Sequence, residues 1–60
     1  MNRAHRSELK ELLLHLEELQ KRLDDIHWEI GEEIPVKKSI QISKASNSLW
    51  ETISHLTEVI

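Results

Sequence analysis

Residues 9–30 read LKELLLHLEELQKRLDDIHWEI. Leu9, Leu12, Leu16, Leu19, Leu23, Ile26 and Ile30 recur at alternating spacings of three and four. That is an a/d heptad seam whose positions are all Leu or Ile. The residues between them are mostly Glu, Asp, Lys, Arg, Gln and His. A lone helix cannot hide such a stripe from water, so the stripe must lie against another helix. The rest of the chain reads as the supply of that partner.

Asn2 or Ser7 can cap the first helix, since either side chain offers an oxygen to an orphan N–H. The helix should run from about residue 4 to residue 31. Gly31, the single glycine, stands where a left-handed C′ residue is wanted, and Pro35, the single proline, cannot continue a helix interior. The turn is expected over 31–38. Ser39-Ile40-Gln41-Ile42-Ser43 alternates with period two, but a strand there has no visible partner strand. An irregular or single-turn segment is expected, with Ser39 or Ser43 capping a second helix over about 39–60. Its stripe is Ile42, Ala45, Leu49, Ile53, Leu56 and Ile60, a 3.6-residue period. Its other positions are rich in Ser, Thr and Asn, which compete for backbone hydrogen bonds, so this helix should depend on packing.

The fold class expected is therefore all-α: a single-domain antiparallel two-helix hairpin that dimerises into a four-helix bundle. Charge gives a second sign of the hairpin. Net charge is −3, and residues 1–33 hold nine of the eleven acids. Asp24, Asp25, Glu29, Glu32 and Glu33 precede Lys37, Lys38 and Lys44, an order unfavourable for each helix dipole alone. A fold-back sets the two segments side by side. The dimer follows from size. Sixty residues without cysteine have no disulfide to staple a small core. The expected oligomer core is Leu9, Leu12, Leu16, Leu19, Leu23, Ile26, Ile30, Leu49, Ile53, Leu56 and Ile60.

Pro35, followed by Ser39-Ile40-Gln41-x-Ser43 between a charged leucine-rich helix and a second amphipathic helix, resembles a group of small helical-hairpin proteins. These are encoded by phages, prophages and mobile elements of Gram-positive bacteria. Ile40 stands where Leu is more usual in them, and Ser and Asn follow Ser43 where charged residues are more usual. The resemblance implies architecture and genomic setting, not an activity.

Chemistry is sparse. Glu11/His15, Asp24/His27 and Glu51/His55 have one-face helical spacings that can supply two metal ligands each. The a/d positions between them are aliphatic, however, and flanking histidines are more often solvated. There is no Cys nucleophile, no Gly-rich phosphate loop and no Ser-His-acid constellation that a hairpin would assemble. The expectation is a non-enzyme with no catalytic residues, no metal and no cofactor. The longest apolar run, Leu12-Leu13-Leu14, is far short of the ~20 residues that span a bilayer. No segment reads as a signal peptide, and a cytoplasmic location is expected.

What stands out is apolar. Leu13, Leu14, Trp28 and Trp50 lie off the seam, and they are the candidate interface, to a second copy of the chain on the size argument or else to another protein. Trp50, beside Leu49, is expected at the hairpin or dimer interface and largely buried. Trp28, opposite the seam, is expected to be exposed. The functional reading is a non-enzymatic protein–protein interaction module, a regulator or inhibitor of another protein. The alternative is a small nucleic-acid-binding or plasmid-regulatory bundle using Arg3, Arg6, Lys10, Lys37 and Lys38. The acidic helix beyond Lys10 disfavours nucleic acid.

Overall fold

The computed structural model describes all 60 residues. Helix α1 runs Arg3–Ile30 and helix α2 runs Val36–Val59. They pack antiparallel as a hairpin, with no strand. The molecule measures 46 × 16 × 10 Å, which is two helices wide and one helix deep.

Asn2 caps α1: the His5 backbone N–H donates to Asn2 Oδ1 at 2.8 Å. Ser7 lies inside the helix instead. At the other end Gly31 keeps helical angles, φ −56° and ψ −31°, not the left-handed ones its identity suggested. These angles are open to any residue, and the one close neighbour of a side chain here is the carbonyl of the preceding helical turn. A Cβ there would sit 3.0 Å from the His27 carbonyl oxygen. A tight turn follows, with Glu33 N–H donating to the Ile30 carbonyl at 2.9 Å.

The second helix begins earlier than its sequence suggested. Pro35 is its N-cap, and the Pro35 carbonyl accepts from the N–H groups of Lys38 and Ser39. The alternating segment 39–43 is therefore helical, and neither Ser39 nor Ser43 is a cap. Proline suits this place because its fixed φ matches the entry to a helix, and its missing N–H is one that no helical partner would satisfy. Farther along, Thr52 and Thr57 hydroxyls donate to the Ser48 and Ile53 carbonyls four residues back. That is how a helix so rich in hydroxyl side chains accommodates them.

The seam inside the hairpin differs from the one read in the sequence. The residues of α1 turned toward α2 are Leu9, Leu13, Leu16, Gln20, Leu23, His27 and Ile30. Leu9, Leu16, Leu23 and Ile30 are as expected, but Leu13, Gln20 and His27 replace Leu12, Leu19 and Ile26. On α2 the inward residues are Ser39, Ile42, Ser46, Leu49, Ile53, Leu56 and Ile60. In heptad terms Leu13, Gln20 and His27 are a positions of α1, and Ser39, Ser46, Ile53 and Ile60 are a positions of α2.

Polar matching accounts for the choice. Gln20 Nε2 donates to Ser46 Oγ at 3.1 Å and to Asp24 Oδ2 at 2.7 Å. Ser46 Oγ donates to Asp24 Oδ1 at 2.8 Å, closing a three-residue ring. One heptad toward the turn, His27 Nε2 and Ser39 Oγ share a hydrogen bond of 2.8 Å. Leu19 and Ile26 in those places would leave two serine hydroxyls facing hydrocarbon, at about 1–3 kcal/mol for each unpaired group. No buried side-chain polar atom lacks a partner.

Candidate functional site

The hairpin buries very little. Only Gln20, Ser46 and Ile53 are buried, at 3%, 8% and 5% exposure, and Ile53 alone is hydrophobic. The accessible surface is 5141 Å² for 7.1 kDa. A compact monomer of that mass exposes about 4,100 Å². The hairpin thus carries roughly 1,000 Å² more surface than a self-sufficient domain, and a standard interface buries about 800 Å² on each partner.

Much of that surplus is apolar and ordered. Leu12, Leu19 and Ile26 are 48%, 52% and 48% exposed, one per heptad along α1. They are the g positions, each immediately before an inward a residue. In an antiparallel pair the g positions of both helices share one flank and the e positions share the other. The flank of Leu12, Leu19 and Ile26 therefore also carries Ala45, Thr52 and Val59 of α2. The half-buried Leu9, Leu16, Leu23, Leu49 and Leu56 lie between this flank and the hairpin interior. Of the stripe read from the sequence, Leu9, Leu16, Leu23 and Ile30 thus serve the hairpin, while Leu12, Leu19 and Ile26 form an outward edge of α1.

The opposite flank is of another kind. It carries Lys10, Glu17 and Asp24 from α1 and Ser43, Trp50 and Thr57 from α2. The structure fixes this side directly: Asp24 reaches across to Ser46, and Lys10, Leu13, Leu14, Thr57 and Ile60 line one shallow depression. Of the off-seam candidates, Leu13 turns inward and Leu14 is exposed at the edge of that depression. Trp50 is 51% exposed on this flank, so the hairpin does not bury it as expected. Trp28 is 88% exposed beside a concavity shared with Asp24, His27, Glu29, Gly31 and Glu32. An indole on an acidic rim suits a cationic surface better than an anionic one.

The charged and titratable candidates are dispersed. Arg3, Arg6, Ser7 and Lys10 line one polar depression at the free end of the rod. Lys37 and Lys38 start α2 at the turn end, so the two basic groups do not form one footprint for a phosphate backbone. His27 is committed to Ser39, while His15 and His55 are exposed. No three His, Cys, Asp or Glu side chains are placed to hold one metal ion. Neither helix is long and apolar enough to cross a membrane.

Sequence reasoning missed the ring of Gln20, Asp24 and Ser46. The signal was present: Gln20 and His27 stand seven apart, as do Ser39 and Ser46, and both pairs interrupt otherwise aliphatic stripes. No protein family model, curated protein or solved structure matches the chain.

Proposed function

We propose that this chain is a non-enzymatic protein–protein interaction module whose first partner is a second copy of itself, two hairpins forming a four-helix bundle. The observation that carries the reading is the half-exposed heptad strip of Leu12, Leu19 and Ile26. Monomeric proteins seldom leave so regular a row of aliphatic side chains in water. The surplus of surface is of the size that one such interface removes. A bundle built this way leaves Trp28, Leu14 and the acidic turn end outward. Those residues are where a second protein would be engaged, one presenting basic and apolar groups. The role that fits is a regulator or inhibitor acting by binding, in keeping with the phage and mobile-element hairpins that Pro35 to Ser43 resembles.

Sedimentation equilibrium at micromolar concentration tests the assembly. A dimer is expected for the wild-type chain. Leu19→Asp, which sets a charge in the strip, is expected to give a monomer with little helix. A folded wild-type monomer, or a Leu19→Asp protein with unchanged mass and helicity, would overturn the reading.

A further inference from the structure

We propose that the second hairpin docks with its turn at the same end as the first, so that each α1 lies between two α2 helices. This rests on the homodimer reading and specifies its geometry. Two hairpins packed face to face have two simple twofold arrangements. With the axis along the rod, α1 faces α2 of the other copy and both turns lie together. With the axis across the rod, α1 faces α1, α2 faces α2, and the turns lie at opposite ends.

Size favours the first. Every d and g position of α1 from Leu9 to Ile30 is Leu or Ile, the d residues half-buried and the g residues exposed, whereas α2 offers Ala45 and Thr52 at two of its g positions. Opposing α1 to α1 sets only large residues together, and opposing α2 to α2 leaves the small ones together, so the two spacings diverge. Opposing α1 to α2 sets Leu23 near Ala45 and Leu16 near Thr52 of the other copy. Large residues then meet small ones at the spacing already used inside the hairpin.

Register agrees. An axis along the rod forbids sliding, so the heights of the two helices in the new interface are those of the hairpin itself. At those heights the half-buried d positions of α1 fall level with the g positions of α2, as a packed layer requires.

The chain has no cysteine, so a single spin label can be placed cleanly. Glu32→Cys marks the turn and Ser7→Cys the free end; both positions are exposed. Double electron–electron resonance on each labelled dimer should give a short separation at both sites, roughly 25 Å, the bundle diagonal plus the label arms. A separation well beyond this at either site, rising at one of them toward the 46 Å length of the rod, would overturn the shared-end geometry while leaving the dimer standing. Sedimentation equilibrium of the same labelled proteins separates the two readings, because a monomer would overturn both.

Discussion

The two flanks of this hairpin are built from the same two helices and differ in almost everything else. One carries Leu12, Leu19 and Ile26 with Ala45 and Val59, and Thr52 is the polar member among them. The other carries Lys10, Glu17 and Asp24 with Ser43, Trp50 and Thr57. Both are open to water in the single hairpin. The difference teaches that exposure alone does not mark a docking face; the repeat does. Aliphatic side chains returning every seven residues describe a surface shaped for another helix. A tryptophan among hydroxyls and charges describes a surface shaped for water with one sticky point.

The comparison can be broken most sharply at Leu19. Leu19→Asp should abolish assembly and most of the helical circular dichroism, because the separated hairpin has one buried hydrophobic side chain to hold it. Next in size is a gentler pair. Leu19→Ala should cost about 2–5 kcal/mol per chain in chemical denaturation, the range for leucines truncated inside a core. Trp50→Ala removes a larger side chain from the other flank yet should cost about 1 kcal/mol or less, nearer a surface change. If Trp50→Ala proves the costlier, the flanks have been assigned the wrong way round.

The stripe of α1 was legible in the sequence, and so was the reversal near Gly31 and Pro35; the cap was narrowed to Asn2 or Ser7, and it is Asn2. What stayed hidden was which of two overlapping stripes faces α2. Leu9, Leu16, Leu23 and Ile30 belong to both, and hydrophobicity alone favours the one whose other members, Leu12, Leu19 and Ile26, turn outward. Hydrogen bonding decides it, since Ser46 and Ser39 need Gln20 and His27 opposite them. The start of α2 was misread for a related reason. Five residues of alternation at 39–43 resemble a strand, but the serines take helical positions, one of them directed at a histidine. Trp50 was expected at the hairpin or dimer interface because it adjoins Leu49; the hairpin does not cover it, since one residue further round the helix is already the open flank.

A middle-sized effect tests the polar ring between the flanks. Ser46→Ala should cost about 1–3 kcal/mol in denaturant titration, since it leaves Gln20 and Asp24 short of a partner. Gln20→Leu combined with Ser46→Ala should recover most of that loss, as replacing both members of a buried pair often does. The recovered protein should then show poorer dispersion of its amide resonances if the ring holds the register. The smallest effect belongs to Trp28. Trp28→Ala should move the denaturation midpoint by no more than a surface substitution does, within about 0.5 kcal/mol, and leave the sedimenting mass unchanged. Iodide should quench Trp28 in the Trp50→Phe variant almost as freely as indole in solution.

A plate one helix deep has no inside of its own. Each backbone amide of such a plate is at most one side-chain layer from solvent, so the rate at which its protons exchange reports how long the plate stays covered. For a chain that finds its cover in a second copy, amide protection rises with protein concentration and collapses on dilution. On the proposed pairing, abundance would act as the effector: the amount of the chain made, set against the dissociation constant of that pairing, would fix how much of it exists as a folded surface and how much as substrate for proteases.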